Sequence, residues 1–254
     1  MEQFHKTYEK KEVIEEYKNL LDLQKPERTI FEKYKRTIEG SNFLDIGIGA
    51  GRTTVHFSPL VNNYTGIDIS NRMIEEAKKK FMDEKNHLYV CDARKMDLLK
   101  DDTYDVILFS FNGIDYVSIE DRDRIFKEII RVAKNDALFI FSSHNIFNIP
   151  ILFSFKFNFH PYRVLINAIK HIKLKGLNYK TSYRNKDIVR INDGAHNFQL
   201  ETIYIKPSLQ LKQLKQFNFK EMKAFSYSTG KELEETKIDL CSDPWIYYTC
   251  FVTK

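Results

Sequence analysis

The chain has 254 residues, 43% hydrophobic and 30% charged, with a formal net charge of +5, a balance that supports one sizeable core plus an insert and excludes disordered and fibrous classes. No apolar run approaches the roughly 18 residues a membrane span needs, and Met1 to Lys6 opens a polar stretch without a signal-like core, so a cytoplasmic location without a membrane span is expected. Cys91, Cys241 and Cys250 lack metal-ligand spacing and read as reduced, buried small hydrophobes, so no metal site is expected.

Val13 to Leu21 and Pro26 to Ile38 read as two amphipathic helices, Pro26 suiting a first turn. From Asn42 strands alternate with helices, which implies a parallel sheet. Asn42–Ile46 is a short apolar strand ending in a glycine cluster, and a helix is expected from about Arg52 to Leu60. Tyr64–Ile69 is the second strand, with Ser70 capping a helix to about Met82. Leu88–Cys91 is the third, and Tyr104–Phe111 is apolar enough to run through the centre of a sheet covered on both faces. Ser118 opens a helix to about Val132, and Ala137–Ser142 is the fifth strand.

The rhythm then breaks. Phe153, Phe155, Phe157 and Phe159 alternate with polar residues as a strand would, and Pro161 to Lys175 carries helical spacing. Ile188–Asn192 and Phe198–Tyr204 flank a hairpin turn at Asp193-Gly194. A helix from Pro207 to Phe217 and strands Phe219–Phe225 and Trp245–Thr253 complete the sequence. Charge is uneven: Ile151 to Arg190 holds nine Lys/Arg against the single acid Asp187, a sum of +8. Such a segment is either a solvated basic surface or a site attracting phosphate or another anion.

Gly47, Gly49 and Gly51 sit where the first strand hands over to a helix, where a ligand must approach the backbone more closely than a Cβ allows. Asp68 ends the next strand, placed to accept ribose hydroxyls, and Asp92 ends the third, facing the same crevice. A dinucleotide-binding oxidoreductase shares this unit, but its G-x-G-x-x-G fingerprint would put a glycine where Arg52 stands. The spacing G-x-G-x-G favours a different adenosine ligand.

With LDIGIGAGRTT (44–54), YTGIDIS (64–70), CDAR (91–94) and YDVILFSFNGIDYV (104–117), the chain resembles the class I S-adenosylmethionine-dependent methyltransferases. The resemblance covers about Leu44 to Ser143, and the closing helix and strands are also similar. It implies a doubly wound Rossmann-like α/β fold, a seven-stranded sheet with its last strand antiparallel, and S-adenosyl-L-methionine as cofactor. It further implies that Gly47, Gly49 and Gly51 line the methionine part, with Asp45 helping to place its amine. Asp68 would hold the ribose, Ile69 and Met73 would flank the adenine, and Asp92 with Ala93 would meet its amino edge. Phe109 and Ser110 would lie beneath the sulfonium. The chain then divides into N-terminal covering helices (1–40), a cofactor-binding core (41–146), a basic, aromatic insert and hairpin forming an acceptor lid (147–204), and the closing helix and strand pair (205–254).

Methyl transfer is a direct displacement, so positioning is central, and a hydroxyl acceptor also needs a base. Asn112, Asp115 and Tyr116 follow the fourth strand, while His144 and Asn145 follow the fifth. His144 is the first candidate base, its plainer role being to hydrogen-bond the loop or adjoining strand. Asp115 is second, either as a base or as a residue that steadies the loop, and Tyr116 stands beside it. His160, Arg163 and His196 from the insert, and Tyr8 and Tyr17 from the first helices, are candidates for the acceptor side. No Asn-Pro-Pro-Tyr-like tetrapeptide, Pro-Cys pair or RNA-binding module is present, which disfavours nucleic acid. The expectation is O-methylation of a small, anionic acceptor, such as a phosphorylated or nucleotide-linked sugar or surface-polysaccharide precursor. N-methylation of an amino sugar or small amine, RNA methylation, and a non-catalytic membrane- or nucleic-acid-binding role are the alternatives.

Overall fold

The computed structural model describes residues 7–18, 21–81, 83–155, 157 and 159–254. Five parallel strands form the core of an eight-stranded sheet: β1 (Asn42–Ile46), β2 (Asn63–Asp68), β3 (Asn86–Val90), β4 (Tyr104–Phe109) and β5 (Ala133–His144). β8 (Phe219–Ser226), β9 (Glu232–Leu233) and β10 (Trp245–Val252) complete it, in the order β3-β2-β1-β4-β5-β10-β8-β9. β10 enters between β5 and β8, antiparallel to both, as the resemblance implied for a final strand. The count differs from seven because the chain turns back after β8 through Gly230, and the two residues of β9 add an edge. β6 (Ile188–Ile191) and β7 (Thr202–Ile205) form a separate antiparallel pair, the expected hairpin with a long connection.

Strand alternation sends successive side chains to opposite faces, and both faces are covered. Leu44 of β1, Ile107 of β4 and Phe139 of β5 pack against Ile125, Phe126 and Ile129 of one long helix (Ile119–Val132). Phe43, Val106, Leu138 and Tyr247 face the other way, onto Ile30 and Ile38 near the N-terminus and Ile74 and Ala77 of Asn71–Phe81. Labelled in chain order, the helices of eight or more residues are α1 (Lys11–Lys18), α2 (Lys25–Lys33), α3 (Asn71–Phe81), α4 (Ile119–Val132), α5 (Pro161–Leu177) and α6 (Pro207–Gln216). Ser70 caps α3, its hydroxyl accepting from the Met73 N–H, and Ser118 caps α4 by accepting from the Asp121 N–H. The expected α3 terminus at Met82 lies outside the described residues.

Several elements depart from expectation: the helix foreseen over 26–38 divides into Lys25–Lys33 and a turn at Lys35–Ile38, and the second hairpin strand begins only at Thr202, after a turn at Ala195–Phe198. The helix foreseen over 52–60 shrinks to Thr54–Phe57 and a 3-10 turn at Ser58–Leu60, because Pro59 has no N–H to continue an α ladder. The phenylalanine alternation of 153–159 forms no strand among the described residues; no neighbouring strand offers it a ladder, and Ile149–Leu152 is instead a helical turn. β5 runs two residues past Ser142, so His144 is the last residue of the strand, paired with Trp245, and does not lie in the loop beyond it.

Candidate active site

Strand order reverses between β1 and β4, and the crevice opens there at the carboxyl ends of the parallel strands. About 720 Å³ of space, partly open to solvent, is walled by Tyr8, Ile46, Gly47, Asp68, Ile69, Asp92, Ala93, Arg94, Phe109, Ser110 and Phe111, among others. A smaller hollow on the other side of the glycine turn adjoins Asp45, Gly47, Gly49, Arg52, Thr53 and Ser110.

The turn after β1 is left-handed at Gly47 and Gly49 (φ 71° and 55°), which a side chain would strain. A Cβ at Gly47 would press on the Phe109 ring, so glycine keeps the floor of the crevice open. Gly51 has a different role. It faces away from the crevice, and the Phe81 ring of α3 fills the place its Cβ would take. Asp68 is buried and joins the turn to β2: its Oδ2 accepts from the Gly49 N–H at 2.9 Å and its Oδ1 from the Ser70 N–H at 2.8 Å. Burial raises its pKa above 3.8, opposed by these two backbone donors. Each oxygen retains a lone pair for a further donor.

Asp92 lines the crevice two residues beyond β3, where its carboxylate is held by Arg94 through Nε (3.0 Å) and the terminal nitrogen (2.5 Å). Burial pushes Asp92 up, but Arg94 outweighs it and the carboxyl titrates below 3.8. Arg94 also reaches Asp121. Met73 is fully buried against Val13, Ile14 and Ala50, outside the crevice wall, because its place on α3 faces the N-terminal helix. Asp45 is buried too, its Oδ2 accepting from Thr53 (2.5 Å) and Tyr64 (2.6 Å) hydroxyls. Burial lifts its pKa to about 7 against those hydrogen bonds.

Beneath Ser110 lies a network that sequence reasoning missed. Arg52 forms a bidentate pair with Glu27 of α2 (2.7 and 2.6 Å) and also donates to Ser110 Oγ (3.1 Å). Ser110 hydrogen-bonds Glu27 and the Tyr247 hydroxyl, and Tyr247 reaches Gln24 (2.9 Å). Burial pushes Glu27 up, yet the Arg52 hydrogen bonds and charge hold it below 4.5. The available signal was Arg52 itself, a cation seated where a helix normally packs.

A second buried cluster forms around His144, whose ring lies 6.4 Å from that of Tyr116. Phe111 and Asn112 are left-handed (φ 58° and 61°), a turn costly for non-glycine residues, and Asn112 is fixed by its N–H donating to Ser142 Oγ at 2.8 Å. Asp115, wholly buried, accepts from the His144 N–H (2.6 Å), Ser143 Oγ (2.8 Å) and Arg122, and lies 2.8 Å from His144 Nδ1. With Nδ1–H donating to Asp115, Nε2 keeps its lone pair, and the Asn112 Nδ2 beside it is a distant 3.5 Å away. Asn112 Oδ1 is buried without a hydrogen-bond partner. Arg122, also buried, extends the chain of contacts to Gln210 of α6 at 2.5 Å.

Tyr8, Tyr116 and His196 come together here. Tyr8 hydroxyl and His196 Nε2 are 3.1 Å apart, and the Tyr116 ring lies edge-on to Tyr8 (6.4 Å) and His144 (6.4 Å). Tyr204 and Trp245 close the other side of the His144 ring, at 4.9 and 6.0 Å. His160 and Arg163 are exposed at the start of α5, outside the crevice wall, since that helix turns this end to solvent. The Tyr17 side chain lies outside the described residues.

A glycine turn at a switch point, with carboxylates at the ends of two adjoining strands, defines the core of a nucleoside-binding α/β enzyme. The comparisons narrow this. Residues 43–136 match the family model for a methyltransferase domain. An uncharacterized protein of Methanocaldococcus jannaschii is 26% identical over 219 residues, spanning 79% of this chain and 81% of that protein. The uncharacterized methyltransferase YcgJ of Bacillus subtilis is 30% identical over 115 residues, 44% of each chain. An S-adenosylmethionine-dependent methyltransferase from Clostridium acetobutylicum shares the fold, with a TM-score of 0.61 at 19% identity over 91% of this chain and 92% of that one. Residues 43–136 thus carry a methyltransferase domain, and the fold is shared with S-adenosylmethionine-dependent methyltransferases; the chain is an enzyme, with S-adenosylmethionine as its cofactor.

Proposed function

We propose that this enzyme methylates a hydroxyl of a small polar acceptor, with His144 as general base. The observation that carries this is the buried His144–Asp115 pair, 2.8 Å between Nδ1 and Oδ2, with Nε2 left to take a proton.

The residues present suit the cofactor. Gly47 leaves space that a Cβ would fill, and both Asp68 oxygens retain acceptor capacity toward ribose hydroxyls. Ile69, Ala93 and the edge of Asp92 offer an apolar slot with one polar end, as an adenine requires. When bound, S-adenosylmethionine supplies an electrophilic methyl on a cationic sulfur. Asp115 holds the imidazole in one tautomer and one orientation, and Arg122 and Ser143 hold Asp115. The unpartnered Asn112 Oδ1 is ready to accept from the acceptor's own polar hydrogen. Tyr8, Tyr116 and His196 cover this side and exclude water.

The crevice wall offers an anionic acceptor no unpaired cation among its described residues. The crevice wall carries a single cation, Arg94, among its described residues, and Arg94 is already paired with Asp92 and Asp121. The acceptor that suits this wall is a small polar hydroxyl compound that needs no phosphate, nucleotide or polysaccharide part. The ring of Tyr8, Tyr116, Tyr204 and Trp245 favours one second reading, an amine acceptor held partly by cation–π attraction.

His144→Ala separates the two. A hydroxyl acceptor predicts a kcat loss of about 10²–10⁴ with calorimetric affinity for S-adenosylmethionine unchanged. Turnover near wild type would eliminate the base and favour the amine.

A further inference from the structure

We infer that helix α5 is a docking surface for an anionic phospholipid bilayer, an activity of the chain separate from methyl transfer. The helix shows solvent its apolar side. Tyr162, Leu165, Ile169 and Ile172 recur at spacings of three and four and are all exposed, from 57% for Ile169 to 74% for Tyr162, while Leu174 on the opposite side is buried. Phe157 and Phe159, just before the helix, are 71% and 94% exposed, and Tyr179, just after it, is 76% exposed. Apolar and aromatic side chains presented this way along a ridge mark a binding surface.

Charge identifies the occupant. At 100° per residue, Lys173 and Lys175 flank the apolar stripe on either side, with Arg163 and Lys170 further round. No carboxylate among the described residues forms an ion pair with any of these four. From Ala137 to Lys186 the sequence contains no Asp or Glu. A second copy of the chain would set these cations against an identical set with no acid to offset them, so self-pairing is opposed. An anionic bilayer meets both demands. The apolar stripe and the phenylalanines enter the acyl boundary, tyrosines lie at headgroup depth, and lysine stems reach the lipid phosphates. No helix among the described residues is long and apolar enough to cross a membrane, so α5 lies along the surface.

The same helix is tied to the mouth of the active site. Asn178 at its C-terminus donates to the Asn192 carbonyl (2.8 Å) and accepts from the Asn192 N–H (2.9 Å), gripping the connection that carries His196. Lys173 also lies 4.5 Å over the Phe198 ring in that connection.

Vesicle flotation of the full chain tests the inference. Wild type is expected to float with phosphatidylcholine–phosphatidylglycerol vesicles and to stay behind with phosphatidylcholine alone or at high salt. Changing Arg163, Lys170 and Lys175 to Gln should weaken partition by about fivefold per charge. L165S/I169S/I172S should abolish flotation while binding S-adenosylmethionine as wild type does, which also shows that it folds. Failure of wild type to float, or flotation of the serine variant, overturns the inference. So does retention by poly-glutamate without vesicle binding, or a wild-type dimer that the serine variant converts to monomer in light scattering.

Discussion

Asp45 combines total burial with two hydroxyl donors on one oxygen, and burial wins, raising its pKa from 3.8 to about 7. The folded chain then holds this proton more tightly than the unfolded chain does. Between about pH 4 and pH 7 the native state binds more protons at Asp45, so this residue's contribution to stability falls as pH rises, by at most about 1.4 kcal/mol per pH unit. Asp45→Asn keeps an oxygen to accept from Thr53 and Tyr64 and cannot titrate. Urea unfolding across that window is expected to show wild type losing stability relative to the variant, and parallel curves would refute the assignment. At the same scale, the sequence pointed to His144 and Asp115 individually, as residues after neighbouring strands. Which nitrogen of His144 faces Asp115 depends on how β5 and the left-handed turn at Phe111-Asn112 meet, and nothing in the sequence near either residue encodes that.

Elements communicate through a few buried charges. Glu27 of α2 is 3% exposed and its partner Arg52 9%, so the pair has little water to replace a lost member. Glu27→Gln leaves Arg52 without its counter-charge and is expected to cost about 3–5 kcal/mol in chemical denaturation, and adding Arg52→Met should restore part of the loss. A single change costing nothing would mean that solvent reaches the guanidinium. Arg122 was more readable. It falls on the same stripe of α4 as Ile125, Phe126 and Ile129, so a charge there calls for a buried partner, which proves to be Asp115. The failure at 153–159 has the opposite cause: a period of two is only potential strand, and no strand pairs with it among the described residues, while Phe153 and Ser154 donate back to Ile149 and Ile151.

For the molecule as a whole, the crevice depends on β1, β2, β3 and β4 being held together, so cofactor binding should stabilise the entire fold. At a concentration one hundredfold above Kd, S-adenosylmethionine is expected to add about 2.7 kcal/mol, a rise in Tm of roughly 5–10 °C for a chain of this size. Differential scanning fluorimetry reads this directly. Asp68→Ala should weaken calorimetric affinity about 10- to 100-fold and abolish most of the shift at the same ligand concentration. An unchanged affinity would show that Asp68 only braces the glycine turn through Gly49.

The sequence by itself determined the alternation of strands and helices, the glycine turn, the carboxylates at the ends of neighbouring strands, and the caps at Ser70 and Ser118. These are local: period, turn chemistry and capping act within a few residues. Tertiary structure alone decided that Gly51 makes room for Phe81, that Met73 packs beneath the N-terminal helix, and that Tyr8 and His196, 188 residues apart, meet beside His144. It also decided that the apolar stripe of α5 faces outward. Helical spacing specifies a stripe, whereas its direction depends on which surfaces the rest of the chain has already filled.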